Sequence, residues 1–150
     1  MAIDLPLAAK TRIYDVIAAG PFGQHVGISV DEVEVDRVVV RMKGAPHVMN
    51  ALGIIHGGAT AALLDSAAAA AAWATPEAQE STRGTTVALM INFIAGGYES
   101  DLIAEAQVVS RGGTLTIVDV TARDRNGRII AKAQATYKLD VARDRRLAAG

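Results

Sequence analysis

The 150-residue sequence predicts an α+β fold, in which a curved antiparallel sheet of about six strands wraps around one long, alanine-rich helix. Two observations lead to this prediction. Residues 59–74 contain neither glycine nor proline and include six consecutive alanines, Ala67 to Ala72, and alanine is the strongest helix former. Most of the remaining chain alternates between apolar and polar residues, as half-buried strands do. Because alanine side chains are small, a curved sheet can approach such a helix closely on most of its sides.

The elements follow from the hydrophobic pattern and from the turn residues. An amphipathic pattern gives a short N-terminal helix that stops at Gly20-Pro21, and alternation then gives an antiparallel hairpin. A glycine-containing loop leads into the long helix, which ends at Thr75-Pro76. Gly112-Gly113 and Asn126-Gly127 are expected to supply the positive φ angles of two-residue hairpin turns. The predicted ranges are 5–19 for the first helix, 26–35 and 38–42 for the first two strands, 44–58 for the loop, 59–74 for the long helix, 76–84 for a polar loop, and 85–94, 102–110, 114–123 and 128–139 for the last four strands.

Length and hydrophobic content indicate one domain over residues 1–150, with its core in about residues 20–140. Residues 141–150 form a charged tail that is expected to fray. An open sheet has edge strands that must be covered, and a second copy of the chain is the simplest cover. We therefore expect a homodimer.

Charge and residue content exclude several classes of function. The chain has 15 basic and 16 acidic residues without a basic block, which disfavours nucleic-acid binding. It has no cysteine, which excludes disulfides, thiolate catalysis and cysteine-bound metal, and which fits a cytoplasmic protein. The histidines at positions 25, 47 and 56 show no metal-ligand spacing, so no metal is expected.

The N-terminal segment and the long helix argue against secretion and against a membrane span. Charged residues interrupt the apolar stretches of residues 1–20, so no secretory signal is expected. Residues 54–74 are long enough to cross a bilayer, but Asp65 near the centre would cost about 3 kcal/mol there. The sequence therefore favours a buried helix in a protein that does not enter the membrane.

One segment combines residues that can carry chemistry: Asn50, His56-Gly57-Gly58 and Asp65. Glycines at a loop-to-helix junction let the backbone approach a ligand, and the free N–H groups of a helix N-terminus favour developing negative charge. Asp65 lies seven residues after Gly58, two turns along the same helix face. It is the only charged residue in 59–74, so we expect it to be shielded from water and therefore more basic or nucleophilic.

Each of these residues also has an ordinary structural interpretation. A Gly-Gly pair before a helix is usually only a tight turn, and a single histidine such as His56 more often caps a helix than catalyses a reaction. Asn50 alone is a common turn residue. Asp65 could lie on a solvated helix face, as most aspartates do. The combination and its spacing favour a site.

The segment from Asn50 to Asp65 resembles the Asn-x-x-Gly-x-x-His-Gly-Gly signature, followed by an acid, of hotdog-fold thioesterases of the phenylacetate-pathway (PaaI-like) type. The resemblance covers about residues 20–140, and the stretches 86–93, 113–119 and 124–131 also fit it. It implies a hotdog fold and the hydrolysis of an acyl-CoA, aryl or medium-chain, to free acid and CoA. It implies no cofactor, because CoA is part of the substrate.

The resemblance also implies roles for particular residues. The acid at Asp65 acts as nucleophile or general base, and the backbone N–H of Gly57 polarises the thioester carbonyl. Asn50 helps to place the carbonyl or the attacking water, and His56 and Gly58 belong to the same catalytic segment. The family builds this site across a dimer interface, and close relatives often pair their dimers into tetramers. The residues expected near the nucleotide part of CoA are Arg111, Gly112, Gly113 and Thr114.

This chain departs from one branch of that family. Some members carry serine or threonine one turn after the acid, where this chain has Ala69. Placement of the attacking water must therefore fall to Asn50 or to another group, and Ser66 lies 100° around the helix from the acid.

Three other functions stay open at this stage. A non-catalytic acyl-CoA or acyl-carrier binding module on the same fold would bind ligand without turnover. A hotdog enoyl-CoA hydratase or dehydratase would use a histidine and a carboxylate as an acid–base pair, which His56 and Asp65 could supply. A purely structural role would leave the isolated carboxylate of Asp65 unexplained.

Overall fold

The computed structural model describes residues 4–98 and 100–141 and contains one antiparallel sheet of six strands packed around one long helix. This arrangement confirms the predicted fold class. The elements are α1 Leu7–Thr11, a π-helix Arg12–Ala18, α2 Pro21–Val26, β1 Ile28–Glu34, β2 Arg37–Met42, a 3-10 helix Pro46–Val48, α3 Gly57–Trp73, β3 Arg83–Phe93, β4 Leu102–Arg111, β5 Leu115–Asp124 and β6 Ile129–Asp140.

Helix α3 is the centre of the core because its alanines let the sheet come close. Leu63, Leu64 and most of the alanine run are fully buried, and the helix packs against β2, β4, β5 and β6. A stripe of residues at helical spacing stays only half-buried in the single chain, and we call it the open face of α3. Its members are Ala61, Ala62, Asp65, Ser66 and Ala69.

The strands are ordered β1-β2-β4-β5-β6-β3, so β1 and β3 form the two edges of the sheet. All neighbouring strands are antiparallel, and β3 pairs along its whole length with β6. The inward residues Gly84 and Thr86 of β3 lie opposite Leu139 and Tyr137 of β6. A bulge between Thr86 and Ala88 then shifts the register of the edge strand.

The N-terminal segment differs in detail from the predicted single helix. It is helical from Leu7 to Ala18, but its second part has the wider π geometry, in which the Ala19 N–H donates to the Tyr14 carbonyl at 2.9 Å. A second helix, α2, follows directly, because Pro21 is suited to the first helical position. The prediction that a strand begins at residue 26 is wrong, since Val26 is the last residue of α2.

The turns differ from the two-residue hairpins predicted. Gly127 has the expected positive φ, 83°, but Asn126 does not, and residues 125–128 form a four-residue connection between β5 and β6. The prediction of positive φ at Gly112 and Gly113 is wrong. Residues 112–114 instead form a three-residue connection, which is closed by a hydrogen bond from the Gly112 N–H to the Leu115 carbonyl at 2.8 Å. The tail predicted to fray is 141–150, and residues 142–150 of it lie outside the described residues.

Candidate active site

The loop before α3 is closed by the side chain of Asn50. Its Oδ1 accepts hydrogen bonds from the backbone N–H groups of Leu52 (2.9 Å) and Ile54 (3.2 Å). These two bonds fix the orientation of the amide and occupy both lone pairs of its oxygen. Only the NH₂ group of Asn50 is then left to bind a ligand, and it can only donate.

His56 caps the N-terminus of α3. Its Nδ1 accepts the N–H of Gly58 at 2.8 Å, so the ring carries its proton on Nε2. His56 therefore has a capping role, one of the structural roles that the sequence left open beside a catalytic one. The N–H of Gly58 is occupied by this hydrogen bond, whereas the N–H of Gly57 has no acceptor among the described residues.

The Gly57 backbone opens onto a cavity of about 390 Å³, which Asn50, Thr60 and Phe93 also line. The remaining wall is mainly apolar and includes Ile130. Gly57 is exposed, and a Cβ atom built on it would lie 3.6 Å from Cε1 of Phe93, at ordinary van der Waals distance. The backbone of Gly57 and the carboxamide residue Asn50 therefore line one cavity, whose other side chains are mainly apolar.

Asp65 lies on the open face of α3 and is half-buried. The hydroxyl of Thr86 donates to its Oδ1 at 2.7 Å, while its Oδ2 has no partner among the residues that the structure describes. Sequence analysis missed Thr86, because threonine is common in strands and nothing in the local pattern marks this one.

Gly57 and Asp65 are not neighbours within one chain. They are eight residues apart on α3, which corresponds to ~12 Å along the helix axis. The structure thus brings Asn50 and Gly57 together at one cavity, and Asp65 and Thr86 together in a second place.

A buried pair of aromatic residues adjoins the acid. Tyr137, which lies opposite Thr86 in the sheet, accepts a hydrogen bond from Nε1 of Trp73 at 2.9 Å. Burial raises the pKa of Tyr137, the hydrogen bond from Trp73 and the charge of Arg12 oppose this shift, and the charge of Asp65 adds a smaller upward contribution. The phenol therefore stays neutral, and the pair forms one wall of the core next to Asp65.

Arg111 is held by protein acceptors at the other end of the helix. Its guanidinium donates to Oδ1 of Asp36 at 2.7 Å and 3.0 Å and to the Ala72 carbonyl at 3.0 Å. With Gly112, Gly113 and Thr116 it lines a separate cavity of about 260 Å³. This cavity lies at the C-terminal end of α3, away from the donors at Gly57.

Two kinds of site find no support in the described part of the chain. Residues 4–98 and 100–141 contain no cluster of three or more histidine, aspartate or glutamate side chains placed to hold a metal. None of the helices found there is long and apolar enough to cross a membrane.

Comparison with known proteins identifies the family. A sequence profile described as the Thioesterase superfamily matches residues 52–131, more than half of the chain. The chain belongs to that superfamily. It is 31% identical to acyl-coenzyme A thioesterase 13 of Homo sapiens over 106 residues, which are 69% of this chain and 73% of that protein.

Solved structures agree with this membership of the thioesterase superfamily. A thioesterase family protein from Silicibacter pomeroyi superposes with a TM-score of 0.80 at 28% identity, covering 88% of this chain and 98% of that one. The PaaI protein of the E. coli phenylacetic acid degradation operon superposes with a TM-score of 0.72 at 23% identity, covering 87% and 92% respectively. The hotdog fold and the PaaI-like resemblance expected from the sequence are confirmed.

Proposed function

We propose that this member of the thioesterase superfamily hydrolyses an acyl-CoA to the free acid and CoA. The observation that carries the proposal is the N–H of Gly57, a helix-terminal donor without an acceptor among the described residues, at a cavity that Asn50 also lines. A thioester carbonyl that is attacked by an oxygen nucleophile develops negative charge on its oxygen. Two fixed donors in a largely apolar surrounding stabilise that charge.

The attacking oxygen is proposed to come from Asp65 or from a water molecule that Asp65 deprotonates. In either role the carboxylate needs a free oxygen and a fixed orientation. Thr86 supplies the orientation through its bond to Oδ1, and Oδ2 is left for water or for the thioester carbon. After attack, the intermediate collapses by breaking the C–S bond and releasing the CoA thiol.

Because ~12 Å separates Asp65 from Gly57 along α3, one chain cannot place both groups on the same carbonyl. We propose a homodimer in which Asp65 of one chain faces Gly57 of the other. A two-fold axis then gives two equal sites. The open face of α3, half-buried in the single chain, is the surface that a second copy would cover.

The edges of the sheet indicate where the two copies meet. The outer strand β1 carries charged residues at Asp31, Glu32 and Glu34, which oppose strand addition. The other edge, β3, is eleven residues long and exposes apolar side chains: Val87 is 57% exposed and Met90 64%. An apolar edge of this length is a preferred place for pairing, so we assign the dimer contact to β3.

Replacement of Val87 by aspartate is expected to weaken the dimer by roughly 100-fold, because two-fold symmetry brings like charges close together at a cost of several kcal/mol. Sedimentation or light scattering over a concentration series measures the shift. Val109→Asp is the matched control: Val109 is a bulged and exposed valine on the interior strand β4. If both variants dissociated equally, the dimer contact could not be assigned to β3.

Thr86 is proposed as a positioning residue for Asp65. Thr86→Val keeps the shape of the side chain and removes the hydrogen bond, so kcat is expected to fall about tenfold while KM changes little. Thr86→Ser should recover most of the activity because it restores the hydroxyl. A rise in KM with unchanged kcat would instead indicate that Thr86 contacts the substrate directly.

Release of free thiol from a panel of aryl- and alkyl-CoA esters tests the proposed function. We expect turnover with at least one class of ester, and we expect the Gly57→Val and Asp65→Asn variants to be much slower. Tight binding of every ester without release of thiol would favour the binding module instead. The hydratase alternative is disfavoured by His56, because its Nδ1 is bonded to the Gly58 N–H and only a donor remains at Nε2.

A further inference from the structure

Arg12 differs from the arginines that form ion pairs in this protein. Arg37, Arg41, Arg111 and Arg128 each lie within 4.0 Å of a carboxylate. Arg12 is half-buried, yet it makes no hydrogen bond and no ion pair within residues 4–98 and 100–141. Its one specific contact is with an aromatic ring.

That ring belongs to Trp73, the last residue of α3. The guanidinium carbon of Arg12 lies 4.5 Å from the ring centroid, a cation–π distance, and Trp73 itself is only 2% exposed. This contact holds the guanidinium against the ring but uses none of its N–H groups. A planar cation held in this way presents its donors to an oxyanion with little further loss of freedom.

The guanidinium lines a cavity of about 220 Å³ between the N-terminal helices and the end of α3. Thr11 and Gln79 line the same cavity and add a hydroxyl and a carboxamide to its walls, while Glu80 adds a carboxylate that opposes anion binding. Arg12 is also the first residue of the π-helix, a rare geometry that is frequent at functional sites.

A continuous set of contacts links this cavity to Asp65. Trp73 donates to Tyr137, Tyr137 lies opposite Thr86 in the sheet, and Thr86 donates to Asp65. Trp73 is eight residues after Asp65, or ~12 Å along α3. Arg12, through its contact with Trp73, therefore lies about this distance along α3 from Asp65.

We propose that Arg12 binds an oxyanion carried by the acyl-CoA substrate, a phosphate of CoA or a carboxylate at the far end of the acyl group. This inference rests on the proposed thioesterase function and adds a binding residue to it. The anion would neutralise the positive charge of Arg12, which has no ion-pair partner among the described residues. The negative charge of Glu80 would limit how tightly the protein binds the anion.

The source of the anion is separated by comparing thioesters in pairs. Each acyl group is offered as its CoA ester and as its N-acetylcysteamine ester, which lacks the phosphates, and acyl groups with and without a terminal carboxylate are compared. Arg12→Gln is expected to lower kcat/KM about ten- to hundredfold, mainly through KM, for esters that carry the anion. Arg12→Lys should recover part of this loss, because it keeps the charge without the planar fork.

Each outcome has a definite meaning. A loss confined to CoA esters assigns Arg12 to a phosphate, and a loss confined to esters with a terminal carboxylate assigns it to the acyl group. No loss, or an equal loss for neutral N-acetylcysteamine esters, overturns the proposal. Arg125→Gln removes an exposed arginine in the β5–β6 turn and serves as the matched control, expected to leave kcat/KM unchanged.

Direct binding keeps this test independent of turnover. Calorimetric titration with CoA, pantetheine and a dicarboxylic acid measures affinity whether or not the protein hydrolyses thioesters. Glu80→Gln is expected to tighten binding of the anionic ligand several-fold, and this variant carries the test if Arg12→Gln does not fold. Hydrolysis without any Arg12-dependent or Glu80-dependent affinity refutes the anion site alone, whereas an absence of hydrolysis of any ester refutes the proposed function.

Discussion

Replacement of Asp65 by asparagine is expected to lower kcat by about 10²- to 10⁴-fold while leaving the fold and the oligomeric state unchanged. Asparagine has the size of aspartate, and its Oδ1 can still accept the hydroxyl of Thr86. It lacks the negative charge that either a general base or a nucleophile requires. The measurement is the rate of thiol release at saturating acyl-CoA, together with the thermal unfolding curve of each variant.

The control for Asp65→Asn is the same substitution on the opposite face of the sheet. Asp119 is an exposed residue of β5 whose Oδ1 accepts a hydrogen bond from Gln134, and Asp119→Asn is expected to keep kcat near that of the native sequence. If Asp65→Asn retained comparable turnover, Asp65 would have no part in the chemistry. A loss of activity that accompanies unfolding would likewise contradict the expectation, because the unfolding curves should coincide.

The parts of the fold that sequence predicted well are those in which local preference and burial agree. Helix α3 combines the highest helix propensity with a position where only small side chains fit, so local propensity and core packing both favour an alanine-rich helix there. The β5–β6 hairpin is similar, because Gly127 takes the positive φ that the turn requires. The π-helix and α2 were not predicted, since their geometry depends on how buried residues such as Ile13 and Val26 meet the core.

The candidate site divides in the same way. Gly57 and His56 could be placed from sequence, because a helix N-terminus is a local structure with local signals. Thr86 and Arg12 could not be placed in this way, because the role of each depends on contact with a residue distant in sequence. Thr86 contacts Asp65, and Arg12 contacts Trp73. A threonine in a strand and an arginine in an amphipathic helix carry no local mark of such a contact.

Gly57→Val is expected to lower kcat/KM by about 10²- to 10³-fold, the loss expected when one oxyanion donor can no longer reach the carbonyl oxygen. The structure shows why this variant should fold: a Cβ at Gly57 meets only the ring of Phe93, at 3.6 Å and 3.8 Å. The two methyl groups of valine would then occupy the cavity beside the N–H and exclude the carbonyl. Gly57→Ala, which adds one methyl group, should give a smaller loss, and equal activity in all three proteins would show that the cavity is not the carbonyl site.

Mixing the two inactive variants decides whether the site is shared between chains. In a dimer of one Gly57→Val chain and one Asp65→Asn chain, one site contains both defects and the other contains native Gly57 and native Asp65. Random assortment makes half of the dimers mixed, so an equal mixture refolded together should recover roughly a quarter of the native activity per site. If Gly57 and Asp65 acted within one chain, every site in every dimer would carry one defect and no activity would return. Because the two groups lie ~12 Å apart on a single rigid helix, recovery is the expected result.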